Sequence, residues 1–335
     1  MQDLVFYSKF KRVLNEATTL YVNIISESIS PNSNWRITNK VSDIEKNSIV
    51  ITITCIDFLN VKLRHPFIKC FNWFQGVIPE ESLMEKKQKH KYYILSMFEY
   101  LTLKFSHFNF FVSKKMYKHY KKKYNYNGNN FFIMPCFNLE ISKEIKNKSF
   151  NKSLVYAGSM APWQKVESIL TTYKELREID ADFNLTILTM DLDEAKKMIF
   201  NANLEDKVEC KCVELSYLQE ELLKYKYGFL LRDDHVVNNV ACPTKMNSYM
   251  ASGVIPIYSE TIGDFFEMFE KMKFSISIKE SYNYHKIASL IHEFECNRFN
   301  GEDLEIEYQS FFENYYNQHS YIKTIRELLS LQIIN

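Results

Sequence analysis

The chain has 335 residues, of which 46% are hydrophobic and 25% are charged, and these values exclude a disordered chain. Its length exceeds that of a usual single core, so two domains are expected. The formal net charge of +1 hides an asymmetry, because residues 1–150 carry 23 Lys and Arg against 12 Asp and Glu, whereas acidic residues outnumber basic ones in the remainder.

Neither a membrane span nor a disulfide framework is predicted. No apolar run approaches the ~18 residues that a spanning helix needs, and the first residues lack the order of a secretory signal. The seven cysteines are scattered and form no CxxC pair, a pattern that favours reduced thiols. We therefore expect a cytoplasmic protein.

The basic half alternates strands and helices. Strands are predicted at Leu4–Tyr7, Ser48–Thr54, Ile68–Phe74, Phe108–Val112 and Phe131–Met134, and helices over residues 8–29, 80–106 and 114–123. This alternation predicts a parallel sheet covered on both faces. The polar stretch LEISKEIKNKSFNKS then predicts a domain boundary near residues 140–152.

Two basic clusters, KKQKHK at 86–91 and SKKMYKHYKKKY at 113–124, allow several interpretations. Such clusters are attracted to anionic lipid, to a lipid diphosphate or to nucleic acid, and they also occur as solvated helix faces. No motif of a nucleic-acid-binding module accompanies them, so no nucleic acid partner is predicted. Peripheral attachment to the inner face of the cytoplasmic membrane is the remaining functional hypothesis.

Three residues of the basic half are candidate functional residues. Gln75 and Gly76 follow the carboxyl end of a predicted strand, where open α/β sheets bind ligands, which makes them candidate acceptor contacts. His65 precedes the same strand and is a weaker, catalytic candidate, because a lone histidine is more often structural.

The acidic half repeats the alternation and ends in a long amphipathic helix. Strands are predicted at Ser153–Ala157, Leu185–Leu188, Val208–Cys212, Phe229–Leu231 and Val254–Tyr258, with helices between them and a final helix over residues 304–330. The apolar face of this final helix needs a surface to pack on, and the other domain can supply one.

Two loops of this half have the composition of an anion site. Gly158 and Ser159 follow the first strand, and Gln164 and Lys165 begin the helix after it. Glycine permits a close approach of the backbone, and helix N-termini favour anions. A single glycine is a weak indication by itself.

The second loop is the more informative. The run FLLRDDHVVNNVACPTKMNSYMASG places Arg232 after a buried strand and Pro243, Thr244 and Lys245 at the start of a helix that ends at Gly253. Cations and backbone amides so arranged suit a phosphate-bearing ligand. The alternative interpretation of this segment is an ordinary βαβ unit whose charged side chains are solvated and bind no ligand.

Asp191 and Asp193 have the DxD spacing that can hold a divalent metal on a nucleotide diphosphate. They follow a strand and precede AKKMIF, so capping of a helix explains them more simply. No metal site and no resident cofactor are predicted.

The segments VYAGSMAPWQKVESIL (155–170) and LLRDDHVVNNVACPTKMNSYMASGVIPI (230–257) resemble the donor-binding domain of GT-B glycosyltransferases close to family 4. The second segment is similar to L-R-x(5)-N-x-x-A-x-P-x-K-x-x-E-Y-x-A-x-G-x-x-P. Matching positions are Arg232, Asn238, Ala241, Pro243, Lys245, Tyr249, Ala251, Gly253 and Pro256. In the same register, Val240 and Ser248 stand where the family often carries two glutamates.

The resemblance implies an α/β protein with two Rossmann-like parallel-sheet domains that face a cleft. An acceptor-binding domain is expected over residues 1–145, a nucleotide-sugar domain over 146–303 and a C-terminal helix that returns across the domains over 304–335. Arg232 and Lys245 would be catalytic. Donor contacts are implied at Gly158, Ser159, Gln164, Lys165, Asn238, Pro243, Thr244 and Ser248.

The expected function is metal-independent, retaining transfer of a sugar from an NDP-sugar to a lipid-linked or polysaccharide acceptor of bacterial polysaccharide assembly. A GT-B homologue that binds a glycan or a partner without turnover is the alternative, because the paired glutamates are missing. A nucleotide-sugar epimerase of the same fold is a third hypothesis.

Overall fold

The computed structural model describes residues 3–10, 16–31, 34–148, 151–279, 283–297 and 300–333, and the beginning predicted for the first helix falls partly outside them. The chain forms two compact units. The first comprises Met1–Asn138, Asn239–Cys242 and Asn317–Asn335, and the second comprises Leu139–Asn238 and Pro243–Tyr316.

The first unit contains a six-stranded parallel sheet with strand order β2-β1-β3-β4-β5-β6. Its elements are β1 (Leu4–Tyr7), α1 (Glu16–Ile29), β2 (Trp35–Thr38), β3 (Ile49–Thr52), α2 (Cys55–Arg64), β4 (Lys69–Phe74), α3 (Ile78–Lys86), α4 (Lys89–Phe105), β5 (Phe108–Phe111), α5 (Lys114–Tyr124) and β6 (Phe131–Ile133). The four inner strands are buried runs such as LVFY and FNFF, as expected for a parallel sheet covered by helices.

The second unit repeats this architecture with strand order β12-β11-β10-β7-β8-β9. Its elements are β7 (Ser153–Ala157), α6 (Val166–Ile179), β8 (Asn184–Leu188), α7 (Leu192–Asn201), β9 (Val208–Lys211), α8 (Leu218–Leu222), β10 (Tyr227–Leu230), α9 (Val236–Asn239), α10 (Thr244–Ala251), β11 (Ile255–Ser259), α11 (Phe265–Phe269), β12 (Ile276–Ile278), α12 (Tyr284–Cys296) and α13 (Gly301–Asn314). The final helix, α14 (Gln318–Ile333), belongs to the first unit. The prediction of two parallel sheets flanked by helices is confirmed.

Two predicted long helices are each divided in the structure. The helix predicted over residues 80–106 is α3 followed by α4, because Lys87 adopts a left-handed conformation at φ 51° and closes α3. The helix predicted over residues 304–330 is α13 followed by α14. Asn317 caps the second of these, since its Oδ1 accepts the backbone N–H of Ser320 at 3.1 Å.

Two elements of the first unit, β2 and α2, were not predicted, and neither were α11, β12 and α12 of the second unit. The edge strand β2 is only four residues long and half-exposed, so its pattern is weak. Helix α2 follows β3 directly, and the Thr54 hydroxyl accepts the backbone N–H of Asp57 at 3.0 Å to cap it. The short spacing merges the end of β3 with the cap of α2, which explains why the strand prediction ran to Thr54.

Candidate functional site

In the sheet of the second unit, the strand order reverses between β7 and β10: the strands that follow β7 lie on one side, and β10 and the strands that follow it lie on the other. Strands β8 and β9 extend the sheet on one side of β7, and β11 and β12 extend it on the other side of β10. In open α/β sheets, ligands bind outside the carboxyl ends of strands at such a switch point. The two loops that start there are the two loops that the sequence indicates as an anion site.

Lys245 is the centre of this site. It lies in the first turn of α10, and its Nζ donates to Gln164 Oε1 at 2.6 Å and to the Tyr156 hydroxyl at 3.2 Å. The ammonium also lies 4.3 Å from the centroid of the Tyr156 ring. Tyr156 in turn donates its proton to the Ser159 carbonyl at 2.5 Å, so its oxygen presents lone pairs to the lysine.

The partners of Lys245 are neutral, which leaves its charge uncompensated. Among the described residues, no carboxylate lies within ion-pair distance of its Nζ. Burial, together with the positive charge of Arg232, lowers the pKa of Lys245 well below its ordinary value. Burial also lowers the pKa of Arg232. Two adjacent cations that lack a counter-ion favour an anionic ligand.

Arg232 is held in place by the loop after β7 and by the end of β11. Its guanidinium donates to the Trp163 carbonyl at 2.7 Å, and its backbone N–H donates to the Ser259 hydroxyl at 2.9 Å. Lys165 differs from Arg232 and Lys245, because it forms an ion pair with Asp233 at 3.2 Å. It also adopts a left-handed conformation at φ 55° where α6 begins. The structure thus gives Lys165 a partner of opposite charge.

Gly158 makes room for the lysine. Its backbone has φ +153°, and a Cβ atom there would overlap the Lys245 ammonium and approach the Tyr156 hydroxyl. Only glycine combines this conformation with the close approach. The sequence identifies Gly158 as a position of close backbone approach, and in the structure the approaching group is Lys245 itself.

Tyr249 couples the helix that carries Lys245 to the two strands. This fully buried side chain accepts the backbone N–H of Ala157 at 3.1 Å and donates to the carbonyl of Phe229 at 3.1 Å. Its ring also packs against Gly228, where a Cβ atom would overlap it. The hydroxyl therefore fixes α10 relative to both β7 and β10.

The remaining predicted donor residues shape the backbone of this region. Asn238 Nδ2 donates to the Asp233 carbonyl at 3.0 Å, and the Ser248 hydroxyl donates to the Thr244 carbonyl at 3.2 Å. Pro243 occupies the N-cap position of α10, so the predicted start of this helix lies within one residue of the observed start. The structure brings Ser159 to the site through its carbonyl, which accepts the Tyr156 hydroxyl.

Sequence reasoning missed Tyr156 and misassigned Asp191. Tyr156 lies inside a buried strand, and its pattern is that of a core residue. Asp191 occupies the N-cap position of α7 without a capping hydrogen bond, so that part of the prediction was wrong. Its Oδ2 instead accepts the backbone N–H of Met160 at 3.1 Å and orders the loop after β7. No cluster suited to a metal ion occurs among the residues that were described.

The candidate acceptor residues lie in the first unit. Gln75 and Gly76 follow the carboxyl end of β4 and line a cavity of about 330 Å³. His65 lies at the opposite, amino end of the same strand, where its Nε2 is 3.4 Å from the Val41 carbonyl. The structure therefore does not bring His65 together with Gln75 and Gly76, and its contact supports a structural role.

Solved structures with the same fold are glycosyltransferases. TarM from S. aureus, solved with UDP, is 16% identical at a TM-score of 0.62, and the match covers 92% of this chain and 58% of TarM. Sucrose-phosphate synthase from Thermosynechococcus elongatus is 11% identical, with full coverage of both chains and a TM-score of 0.72. WaaG, a glycosyltransferase involved in lipopolysaccharide biosynthesis, is 10% identical at a TM-score of 0.66, and the match covers 96% of this chain and 99% of WaaG.

These similarities show that the chain has the GT-B fold of glycosyltransferases, as the resemblance implied. The chain spans little more than half the length of TarM and almost all of WaaG. No protein-family model and no curated protein matches the sequence.

The lowered pKa of Lys245 predicts a pH-dependent effect of Lys245→Met. At a pH below the ordinary pKa of lysine, the side chain binds a proton in the unfolded chain but resists protonation in the folded protein. This lysine therefore destabilises the fold increasingly as the pH falls towards its lowered pKa. The melting temperature of Lys245→Met relative to wild type should therefore rise as the pH falls below the ordinary pKa of a lysine side chain.

Lys197→Met, which removes an exposed lysine from α7 of the same unit, is the matched control and should show no such trend. A difference between Lys245→Met and wild type that stays constant over this pH range would contradict the assignment of an uncompensated cation.

Proposed function

We propose that the protein is a glycosyltransferase that uses a nucleoside-diphosphate sugar and binds its diphosphate at Lys245 and Arg232. The observation that carries the proposal is a pair of cations at the switch point of the second sheet that has no carboxylate counter-ion within the described part of the chain. UDP is the nucleotide to test first, since TarM was solved with it. The N-terminus of α10 adds backbone amides to the same anion site.

The arrangement favours departure of the leaving diphosphate. As the glycosidic bond to the diphosphate breaks, negative charge accumulates on its oxygens. Lys245 and Arg232 are already in place to stabilise that charge, so little reorganisation is needed in the transition state. Because these cations can do what a divalent metal would do, we propose metal-independent transfer. Retention of the anomeric configuration is part of the same proposal, from the family resemblance.

The acceptor part of the proposal concerns the first unit. Its candidate residues Gln75 and Gly76 lie at the carboxyl end of β4, which is the ligand-binding edge of an open parallel sheet. We propose a lipid-linked or polysaccharide acceptor. This part is supported by the involvement of WaaG in lipopolysaccharide biosynthesis and by the basic surface described below.

One observation favours a second candidate, a GT-B protein that binds its ligand without turnover. Val240 and Ser248 occupy the positions of the glutamates of the family, and Ser248 uses its hydroxyl on the Thr244 carbonyl. Product analysis distinguishes the candidates. Incubation with UDP-sugars and glycan acceptors should release UDP and a glycosylated product, whereas a binding protein would release neither.

Neutralising either cation should weaken UDP binding. A hydrogen bond to a charged group contributes about 1.5–3 kcal/mol, so Lys245→Met and Arg232→Met should each raise the Kd for UDP by roughly 10- to 150-fold. Isothermal titration calorimetry measures this change. Lys197→Met is the control for the loss of one positive charge from the same unit, and wild-type affinity in Lys245→Met would refute the assignment.

Chelation should leave transfer intact. With the two cations supplying the charge stabilisation, transfer of sugar from the UDP-sugar that proves to be the donor should proceed in EDTA at the rate seen without it. Loss of activity in EDTA and its recovery on addition of Mn²⁺ or Mg²⁺ would instead favour a role for Asp191 and Asp193 as metal ligands.

The basic clusters of the first unit support peripheral membrane attachment. Lys121 and Lys122 of α5 are exposed, whereas Lys123 of the same cluster is paired with Glu80 at 2.7 Å. The adjacent helix α4 exposes Tyr93 at 69%, together with other apolar side chains, Ile94 and Met97. Exposed lysines in the same unit as exposed aromatic and aliphatic side chains suit an anionic bilayer surface. None of the helices described has the length and apolarity required to cross a membrane.

Charge reversal at two of these lysines should weaken binding to anionic vesicles. Each lysine near such a surface contributes about 1 kcal/mol, so Lys121→Glu/Lys122→Glu should lower the partition coefficient by roughly 30-fold or more. Co-sedimentation with phosphatidylserine-containing vesicles, at low and high salt, measures it. Lys196→Glu/Lys197→Glu on α7 is the matched control. If this variant, Lys121→Glu/Lys122→Glu and the wild type all bind the vesicles equally, the basic clusters are solvated helix faces and not a membrane-binding surface.

A further inference from the structure

The cavity of about 330 Å³ in the first unit has the position and size of a ligand site. It lies among residues that follow β3 and β4, including Gln75 and Gly76, and the buried helix residue Glu99 also lines it. Its volume is at the lower end of the range for small-molecule pockets. The occupant should therefore be compact, such as a single ring.

Two carboxyl groups line the cavity. Glu99 is 1% exposed, and its oxygens accept the hydroxyl protons of Tyr120 at 3.1 Å and Tyr124 at 2.7 Å. Burial raises the pKa of Glu99 to about 7. Glu81 accepts the backbone N–H of Val77 through one oxygen at 3.1 Å, and burial raises the pKa of this carboxyl as well.

Gly76 determines where the Glu81 carboxyl lies. A Cβ atom at Gly76 would overlap Glu81 Oε1, so any larger residue there would displace this carboxyl group. Gln75, beside it, is exposed and also lines the cavity. A carboxyl held by its own helix and an adjacent amide side chain together offer several hydrogen-bonding atoms to a ligand.

The lining distinguishes between classes of ligand. Among the described residues, no lysine or arginine lines the cavity, and Lys123, whose Nζ lies 3.4 Å from Glu99 Oε2, is paired with Glu80 at 2.7 Å. The cavity therefore lacks a cation that could compensate a phosphate, and ionised carboxyls would repel one. Ile53, Phe74 and Ile78 supply apolar surface beside the polar atoms. A sugar ring matches this combination, because its hydroxyl groups both donate and accept hydrogen bonds while its C–H faces are apolar.

We propose that this cavity holds an uncharged sugar ring of the acceptor, with Gln75 and the carboxyl group of Glu81 bonded to its hydroxyl groups. The proposal rests on the proposed glycosyltransferase function and gives its acceptor part a site and a substrate class. It places the phosphate or diphosphate of a lipid-linked acceptor outside this cavity, because nothing in the lining compensates that charge.

Saturation-transfer NMR on the full chain tests the proposal with four probes. These are methyl α-glucoside, methyl α-galactoside, methyl N-acetyl-β-glucosaminide and glycerol 3-phosphate. At least one glycoside should receive saturation from the wild-type protein, and glycerol 3-phosphate should not. Gln75→Ala and Glu81→Ala should each reduce the affinity for that glycoside by about 3- to 10-fold. Glu85→Ala, an exposed position on the same helix α3, should leave it unchanged.

Melting temperatures identify any variant that fails to fold, and Gln75→Ala is the safer variant because Gln75 is exposed. Binding of none of the three glycosides, binding of glycerol 3-phosphate alone, or equal affinity in Gln75→Ala, Glu81→Ala and wild type would each overturn the proposal. UDP titration of the same preparations keeps the two hypotheses separate. If the wild-type protein binds UDP but none of the glycosides, only the sugar site is refuted, whereas absence of UDP binding by the wild type refutes the proposed donor site.

Discussion

A buried lysine without a carboxylate partner costs folding free energy, because burial penalises its charged form and no opposite charge repays that penalty. Lys245 is such a residue, and its contacts are the amide oxygen of Gln164, the hydroxyl and ring of Tyr156, and the nearby charge of Arg232. A carboxylate in place of Gln164 would stabilise the charged lysine and would repel an anionic ligand beside it. The absent counter-ion is therefore the feature on which the functional account depends.

The surrounding structure keeps these cations in position. Tyr249 fixes α10 to the backbones of β7 and β10, and the Trp163 carbonyl holds the Arg232 guanidinium. Gly158 leaves the space that the Lys245 ammonium occupies. Each of these contacts depends on the adjacency of β7 and β10 in the sheet, which follows from the reversal of strand addition between them. The fold thus supplies a site that is organised before any ligand arrives, as electrostatic stabilisation of a leaving group requires.

The sequence predicts this site better than it predicts the details of the helices. Arg232 and Lys245 follow buried strands at recognisable offsets, so their convergence at one sheet edge could be anticipated. The role of Tyr156 could not, because a tyrosine inside an apolar strand has the same pattern whether its hydroxyl meets a backbone carbonyl or a lysine. Likewise, Asp191 stands at a helix start, and only the three-dimensional path of the preceding loop directs it to Met160. The divisions at Lys87 and Asn317 depend on single backbone conformations that periodicity does not detect.

The linkage between UDP binding and proton uptake tests the role of Lys245 most directly. A diphosphate beside the lysine raises its pKa, so binding at a pH above the lowered pKa should draw a proton from solution. Calorimetric titration with UDP in buffers of different ionisation enthalpy, repeated over a range of pH up to the ordinary pKa of a lysine, measures this uptake. The account predicts proton uptake by the wild-type protein that is lost in Lys245→Met. Uptake of the same size in both proteins, or none in the wild type over this range, would contradict it.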